Sequence, residues 1–297
     1  MPTPNYGPVI SVDGPPPSPP ALTLIGAARD VTGDSGKGQP ADRWINGAEL
    51  WPYPRDLPDV FDPCQSASSA GHGKDAGTIP TTPELFGAYN VLEGVTCTTR
   101  STHADPAEWQ RRASVALDAY QHWAIEREFW SSALLPANPH LAQTTGLTFD
   151  NSVTSTSVKN AMALLEQAIA DKGGNGVIHV RPAIFSQISH DAGFLIWDIK
   201  NGVARTTLGT IVIPGVGYTG ANKDGTAASG TVEWAYATGP LEYRMTPTVL
   251  LPETIREATD RGQNLTTFRA EKYVLVTWDQ RIHAVVKIDR AFTTFTS

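Results

Sequence analysis

The residue patterns that could support chemistry in this chain begin with three glycines in Gly215-Val-Gly217-Tyr-Thr-Gly220. Their spacing matches a dinucleotide-binding loop, in which glycines let backbone N–H groups approach a pyrophosphate. That chemistry also needs a helix to begin directly after the loop, whereas Ala221-Asn-Lys-Asp-Gly225 is typical of a turn. The pattern therefore predicts a loop without a cofactor, and a nucleotide-cofactor-binding enzyme is a less favoured alternative.

The remaining candidates for catalysis or metal binding are isolated. Glu126 and Glu128 could form an acid–base pair, but at i,i+2 on a helix their side chains point to different sides, which favours ion pairs in solvent or at an interface. The histidines include no close pair at metal-ligand spacing, and His179 is expected to be half-buried and hydrogen-bonded within a strand. Cys64 and Cys97 have no neighbouring base and are expected to be buried thiols. The sequence therefore indicates no catalytic residue, no cofactor-binding residue and no metal ligand.

Charge and hydropathy disfavour two classes of function. The 297 residues include 30 Asp and Glu against 23 Lys and Arg, and the only adjacent basic pair is Arg111-Arg112. Such a chain lacks the basic stripe that follows a phosphate backbone, so tight nucleic-acid binding is disfavoured. No stretch approaches the roughly 18 apolar residues of a membrane span, and the N-terminus lacks the apolar segment of a secretion signal. We therefore expect a soluble protein made in the cytosol.

The first quarter of the chain differs from the rest in proline content: 15 of the 23 prolines of the whole chain lie within residues 1–83. Proline removes a backbone donor and restricts φ, so this region is expected to be an extended arm with turns. It also carries large aromatic side chains, which gain stability only when they are covered, either by the body of the chain or by a neighbour. We expect removal of residues 1–40 to leave a folded body but to impair assembly. The candidate assembly-interface residues are Trp44, Trp51, Tyr53 and Phe61.

A long helix is predicted to begin at Asp105 and to end near Ser131. Asp105 is a good N-cap residue, Pro106 suits the first helical position, and Glu108 favours the positive end of the helix. A helix of this length would span ~39 Å, enough to act as a strut. Apolar residues at helical spacing predict one apolar face, made of Trp109, Ala113, Ala116, Leu117, Tyr120 and Ala124. The polar side would contain Gln110, Arg111, Asp118 and Gln121.

Beyond residue 150 the pattern alternates between helices and strands. Ser157 or a neighbouring Thr or Ser is expected to cap a helix that ends at Gly173-Gly174, and Pro182 to begin a second, short helix. Asn201-Gly202 is a strong hairpin signal between strands at 194–197 and 203–206. Other strands are predicted at residues 85–99, 176–180, 210–213, 231–237 and 241–245, and three more at 266–270, 273–278 and 283–288.

The order of these segments resembles the HK97-like fold of tailed-phage major capsid proteins. Short motifs are similar to those of major capsid proteins from actinobacterial phages, namely Arg43-Trp-Ile-Asn-Gly47, Asp62-Pro-Cys64, Thr96-Cys97, Glu126-Arg-Glu-Phe-Trp130 and Val276-Thr-Trp-Asp279. The resemblance implies an α+β, HK97-like capsid fold with an N-arm, an extended loop, a long spine helix, a peripheral domain and an axial α/β domain. It divides the chain into an N-terminal arm (1–40), the extended loop and first peripheral-domain strand (41–100), the spine helix and a peripheral-domain segment (101–155), the axial domain (156–262) and C-terminal peripheral-domain strands (263–297).

The same resemblance implies a function. A protein of this kind would self-assemble through hexamers and pentamers into an icosahedral shell that encloses packaged double-stranded DNA. Its expected partners are copies of itself, separate scaffolding, portal or decoration proteins, and DNA held nearby without sequence recognition; no membrane, cofactor or enzymatic activity is implied. The expected location is the virion capsid, assembled in the cytoplasm of the bacterial host. An encapsulin-type nanocompartment shell of the same fold is the main alternative.

Overall fold

The computed structural model describes residues 14–34, 42–51, 82–98, 106–190, 195–198 and 202–291. Its α-helices are α1 (Leu24–Ala27), α2 (Pro106–Ser131), α3 (Val158–Ala170), α4 (Pro182–His190) and α5 (Ile255–Ala258), and a 3-10 helix covers Arg43–Asn46. Its strands are β1 (Arg29–Asp30), β2 (Ala48–Leu50), β3 (Glu84–Phe86), β4 (Tyr89–Thr98), β5 (Phe149–Thr156), β6 (Val177–Val180), β7 (Leu195–Asp198), β8 (Val203–Thr206), β9 (Ile211–Pro214), β10 (Val232–Thr238), β11 (Leu241–Met245), β12 (Val249–Leu251), β13 (Thr259–Asp260), β14 (Leu265–Trp278) and β15 (His283–Asp289).

Local sequence signals account for several of these elements. The long helix α2 is present as predicted, although Asp105 lies outside the described residues. The hydroxyl oxygen of Ser157 accepts the backbone N–H of Asn160 (3.3 Å) and so caps α3. Strands β7 and β8 pair antiparallel, and Gly202 between them has a positive φ of 63°. The predicted cap and the predicted hairpin are therefore confirmed.

The first sheet is organised around β14. This strand pairs antiparallel with β4 on one side and with β13, β12 and β11 on the other, and β1 joins in parallel beside β11. Helix α2 packs against β4 and β14. The buried side chains of this region include Leu117, Ile125, Phe129, Trp130, Val274 and Trp278. The strut predicted from the sequence thus lies along the longest strand of the protein.

The second sheet has the strand order β5-β15-β10-β6-β9-β8-β7. Side chains alternate along β10, so Trp234 and Tyr236 join the core that contains α2, whereas Ala235 and Ala237 join the core that contains α3 and α4. The second core is mainly aliphatic and includes Met162, Leu165, Ile178, Ile184 and Val286, together with the aromatic ring of Phe185. One sheet therefore separates two cores of different composition.

The C-terminal strands differ from the prediction in number and in placement. The strands expected at 266–270 and 273–278 are one continuous strand, β14. The charged pair between them is accommodated, because Glu271 accepts a hydrogen bond from Asn90 (3.2 Å) and Lys272 pairs with Asp118 on α2 (2.7 Å). β15 lies in the second sheet, beside β10 and β5. The segment 263–297 therefore contributes to both sheets.

The prediction of which face of α2 is apolar and buried is partly wrong. Tyr120, assigned to the apolar face, is exposed, whereas Gln121, assigned to the polar side, is buried. The amide oxygen of Gln121 accepts a hydrogen bond from Lys272 on β14 (3.2 Å). The reason is that α2 contacts the first sheet and also α1, so its buried residues do not form a single stripe.

Part of the predicted N-terminal arm belongs to the body of the chain. Leu24 is fully buried and Val31 nearly so. The backbone N–H of Val31 donates to the carbonyl of Tyr243 on β11 (3.0 Å), next to the pairing of β1. Removal of residues 1–40 would delete a core side chain and a sheet strand. The expectation that this truncation leaves the fold intact is therefore revised.

Candidate assembly surfaces

Two of the four predicted assembly residues are described, and they lie in different environments. Trp44, in the 3-10 helix, is buried in the same core as Phe86 and α2. Trp51, directly after β2, is 53% exposed. Tyr53 and Phe61 lie outside the described residues. Trp44 is thus covered by the body of its own chain, whereas Trp51 is available to a neighbour.

Strands β2 and β3, together with Trp51, form a two-stranded ribbon that is anchored at its base. A two-stranded sheet is marginal alone, so it needs such an anchor. Asn138 supplies it: its amide accepts the N–H of Gly87 (2.7 Å) and donates to the carbonyl of Gly87 (2.9 Å). Gly47 begins the ribbon with φ 104°, and a Cβ there would lie 2.9 Å from the carbonyl oxygen of Phe86. A side chain at position 47 would therefore disturb the base of the ribbon.

The ribbon carries exposed apolar surface. Leu85, on β3, is 64% exposed. Leu50 pairs with Glu84, so Trp51, which follows Leu50, lies near Leu85, which follows Glu84. Glu49 on β2 is also exposed and gives the ribbon an acidic group. Exposed Trp and Leu side chains beside one another are typical of a surface that is covered in an assembly.

A second apolar surface lies between β4 and the C-terminal half of α2. This groove has a volume of about 410 Å³. Its exposed apolar side chains are Leu92 (56%), Trp123 (49%) and Leu134 (65%). The guanidinium of Arg127 lies 5.1 Å from the centre of the Trp123 ring and gives the groove a cation.

The groove was not predicted from the sequence. The spacing of Tyr120 and Trp123 could have indicated an aromatic surface there, because residues three apart on a helix lie on one side of it. That side was assigned to the core through Tyr120. Only the packing of α2 shows that it is exposed.

The interior of the same region contains a buried carboxylate. Glu126 is fully buried; its Oε1 accepts the N–H of Leu24 (3.0 Å) and its Oε2 accepts the N–H of Gly217 (3.0 Å). Burial raises the pKa of Glu126 to about 7, against the opposing effect of these N–H donors. The ion pair expected for Glu126 is therefore wrong. Glu128, two residues later, accepts the N–H groups of Leu134 (3.0 Å) and Leu135 (2.9 Å).

The glycine-rich segment after β9 packs against α2. A Cβ on Gly217 would lie 2.1 Å from the carbonyl oxygen of Trp123, so only glycine permits this approach. Tyr218 is buried, and its hydroxyl lies 2.8 Å from Nδ1 of His179. No helix begins directly after residues 215–220, because the described residues up to β10 contain none. Residues 215–220 are therefore a loop, as predicted, and Gly217 is the glycine that packs against α2.

His179 is hydrogen-bonded as expected but more deeply buried. Its Nε2 lies 2.9 Å from the hydroxyl of Thr238, and none of its side chain is exposed. Burial lowers the pKa of His179 to about 3, and that of His283, which lies in the same core, to about 4. Both imidazoles are therefore neutral at physiological pH and act as core hydrogen-bonding groups.

The described residues contain no cluster of three His, Cys, Asp or Glu side chains arranged to hold a metal ion. Within the same ranges, no helix combines the length and the apolar character needed to cross a bilayer.

No protein-family model and no curated protein sequence matches this chain. Solved structures match it over nearly its whole length. A structure from Gordonia phage Cozz matches 96% of this chain and 91% of its own, at 11% identity and a TM-score of 0.54. The capsid of a native GTA particle matches 96% and 95%, at 10% identity and a TM-score of 0.56. The chain has the HK97-like fold.

An encapsulin is also among the solved structures that match this chain. The holo-SrpI encapsulin complex from Synechococcus elongatus matches 97% of this chain and 96% of its own, at 11% identity and a TM-score of 0.55. At sequence identities of 10% to 11%, the similarity to these structures shows a shared fold. Among the described residues, the ribbon and the groove are two of the surfaces that carry exposed large apolar side chains.

Proposed function

We propose that this chain is the major capsid protein of a tailed phage. In this proposal it assembles through hexamers and pentamers into an icosahedral shell around packaged double-stranded DNA. The observation that carries the proposal is the extent of the likeness to shell subunits, which includes 95% of this chain and 95% of the capsid chain of an empty GTA particle. Structures from Mycobacterium phage Che8 and Microbacterium phage Oxtober96 match to a similar extent.

The proposed contact joins the ribbon of one copy to the groove of a neighbouring copy. Both surfaces are apolar and exposed, with Trp51 and Leu85 on the ribbon and Trp123 in the groove. The ribbon carries Glu49, and the groove is lined by Arg127 and by Glu128, whose carboxylate accepts the N–H groups of Leu134 and Leu135. Arg127 is therefore the groove residue that would pair with Glu49. Many such contacts, each weak alone, would give a stable closed lattice.

The four residues predicted from the sequence have different roles in this proposal. Trp51 lies at the contact between copies. Tyr53 and Phe61 follow it in the chain and belong to the same contact. Trp44, which is buried within its own chain, holds the base of the ribbon.

We also assign the parts of the fold to capsid domains. The helix α2 is the spine helix, the first sheet is the peripheral domain, and the second sheet with α3 and α4 is the axial domain. In this assignment the boundaries expected from the sequence change. β1, within 1–40, and β11, β12 and β13, within 156–262, fall in the peripheral domain because they belong to the first sheet, whereas β5, at Phe149–Thr156, and β15, within 263–297, fall in the axial domain because they belong to the second sheet. The protein would be located in the virion capsid after assembly in the host cytoplasm, with portal, scaffolding or decoration proteins as separate partners and no enzymatic role.

An encapsulin-type shell is the second candidate, because the encapsulin complex matches with a TM-score of 0.55. The two functions differ in what the shell encloses. Shells purified from the native source would contain double-stranded DNA in the first case and a protein cargo in the second. Nuclease protection and mass spectrometry of the contents distinguish them.

Negative-stain electron microscopy of the purified full chain tests the proposed function. We expect closed shells, or rings of five or six subunits, to appear as the protein concentration rises. A monodisperse monomer at every concentration and ionic strength tried would contradict the proposal. Size-exclusion chromatography of the same samples provides an independent measure of mass.

A further inference from the structure

β4 is the outermost described strand on one side of the first sheet. It pairs with β14 from Tyr89 to Thr98 without a shift in register, and no other described strand pairs with it. A strand of ten residues with one unpaired edge offers a row of main-chain N–H and C=O groups to another strand. The hydrogen bonds of β14 show which residues supply that row.

Tyr273 on β14 fixes the direction of these main-chain groups. Its carbonyl accepts the N–H of Thr246 (3.0 Å), and its own N–H donates to the hydroxyl of Thr246 (3.0 Å), so both groups point to the side of β11. Successive residues of a strand direct their main-chain groups to opposite sides, so Lys272 bonds to its partner on β4, Val91. The residues of β4 that alternate with Val91 direct their N–H groups outward, and they are Asn90, Leu92, Gly94 and Thr96.

The environment of β4 agrees with this direction. Leu92, Gly94 and Thr96 are exposed. The N–H of Gly94 donates to Oε1 of the preceding residue, Glu93 (3.2 Å), rather than to β14. Charged side chains at an open edge are a means by which proteins prevent unwanted strand pairing, so Glu93 protects this edge in the single chain.

The groove between β4 and α2 runs along the same edge. Side chains alternate between the two faces of a strand, yet Tyr89, Asn90, Val91 and Leu92 all line the groove in succession. The groove therefore opens onto the edge of β4 as well as onto α2. A strand placed at this edge would also cover Trp123.

Two buried polar atoms in the groove have no hydrogen-bond partner among the described residues, the hydroxyl of Tyr89 and the amide oxygen of Asn90. Burial and, to a smaller extent, the charge of Glu128 raise the pKa of Tyr89, so its hydroxyl keeps its proton and remains a donor. A buried polar group without a partner destabilises the chain until a partner arrives. The main-chain carbonyls of an extended strand are suitable acceptors for Tyr89.

We infer that the outer edge of β4 receives a ribbon strand from a second copy of this chain, which pairs with Leu92–Thr96 through main-chain hydrogen bonds and accepts the O–H of Tyr89. The ribbon fits because its two strands are extended and pair only with each other in the described part of the chain. Its exposed Trp51 and Leu85 would then lie in the groove. The inference rests on the proposed function for the identity of the partner, and it adds the edge at which the partner pairs.

Hydrogen exchange of the full chain as a function of protein concentration, read at single amides, tests this pairing. On association we expect the protection of the outward amides of Leu92 and Thr96 to rise at least about tenfold, because they gain main-chain acceptors. The amides of Val91 and Val95, which bond to β14, are the matched control within the same strand. They should be equally protected at every concentration.

Two substitutions separate the pairing from folding. Tyr89→Phe removes the unpartnered hydroxyl, so the unassembled chain should be as stable as the wild type or more stable, whereas the protein concentration required for assembly should rise about threefold to tenfold. Gly94→Pro removes an outward N–H and should raise that concentration at least about tenfold. Gly94→Ala keeps the N–H, and its Cβ would lie 3.7 Å from the carbonyl oxygen of Phe268, an ordinary contact, so it is the control and should assemble as the wild type does.

Each outcome decides the inference. Shells that form while the amides of Leu92 and Thr96 stay unprotected would overturn the pairing and leave the proposed function intact. Protection that rises in dimers or tubes without closed shells would support the pairing and contradict the proposed function, and a monomer at every concentration would contradict both. A Tyr89→Phe chain that is less stable and assembles as the wild type does would also overturn the pairing. If Gly94→Pro does not fold, as judged by near-UV circular dichroism, the exchange of the wild type and Tyr89→Phe remain decisive.

Discussion

The two cores on either side of the second sheet differ in what they bury and in what they expose. The core that contains α3 and α4 is mainly aliphatic, with Met162, Leu165 and Ile184 fully buried. The region around α2 buries polar groups such as Glu126 and His179, and it leaves Trp123 half-exposed. The usual distribution of polar and apolar side chains is therefore partly inverted around α2.

The difference concerns the kind of distant partner on which each region depends. The α3–α4 core is completed by apolar side chains of the second sheet, including Val286 and Ile288 of β15, which begins at His283, far along the chain from α3. The α2 region needs backbone amides from residues about 100 positions away for its buried carboxylate. In the proposed function it also needs another copy of the chain to cover Trp123. Stability and assembly should therefore respond to substitutions in different regions.

The largest effect is expected from Gly217→Ala. The new Cβ would lie 2.1 Å from the carbonyl oxygen of Trp123 and 2.8 Å from the backbone nitrogen of Arg127, and neither atom belongs to a side chain that can move away. We expect the free energy of unfolding to fall by at least about 3 kcal/mol in chemical denaturation. Gly33→Ala, whose Cβ would meet nothing within 4 Å, is the control and should change little. Equal stability of the two variants would contradict the close packing of the loop on α2.

Leu165→Ala is expected to affect the other core. Leu165 is fully buried on α3, so its truncation leaves a cavity and should lower the free energy of unfolding by roughly 3 kcal/mol. The protein that remains folded should assemble at the concentration required by the wild type. If Leu165→Ala changes the concentration required for assembly but not the free energy of unfolding, the α3–α4 core and the α2 region do not differ in the way stated above.

The pH dependence of stability should separate Glu126 from the buried histidines. The pKa of Glu126 is about 7 in the folded chain against 4.5 ordinarily, so its contribution to stability is greatest below pH 4.5 and declines as pH rises to about 7. The decline should amount to about 3 kcal/mol in the wild type relative to Glu126→Gln. His179 and His283, with lowered pKa values, act in the opposite direction and destabilise the fold as pH falls below 6.5. Their effect cancels in the comparison, and parallel pH profiles of the two proteins would refute the raised pKa of Glu126.

A smaller change in free energy, at the level of assembly, is expected from Trp51→Ala and Trp123→Ala. Each removes half-exposed aromatic surface from the proposed contact and should raise the protein concentration needed for assembly by about tenfold to thirtyfold, or roughly 2 kcal/mol. Because both side chains are exposed in the single chain, thermal unfolding should change little. Val153→Ala, at an exposed position on β5, is the control for loss of exposed apolar surface. An equal effect of all three variants on light scattering would argue against a specific contact.

Much of the fold could be predicted from local signals. The cap at Ser157, the turn at Gly202 and the beginning of α2 depend on interactions within a few residues, which the sequence displays directly. The continuity of β14 could not be predicted, because Glu271 and Lys272 interrupt its apolar pattern. Their partners, Asn90 and Asp118, lie more than 150 residues away.

The candidate surfaces show the same contrast between local signals and contacts between distant residues. Trp51 was predicted to be covered either by the body of the chain or by a neighbour, and in the single chain it is exposed. The groove was not predicted, since it exists only where β4 passes beside α2. Glu126 was assigned to an ion pair because its N–H donors, at Leu24 and Gly217, are distant in the sequence.

The amino-acid sequence by itself determined the order of segments, the long helix, the hairpin and the α/β alternation, because these depend on residue type and short-range spacing. The tertiary structure alone decided which side of α2 is exposed, which sheet receives β15, and that Glu126 is buried among backbone amides. These features depend on contacts between segments far apart in the chain, and such contacts are set by how the layers pack rather than by any local pattern.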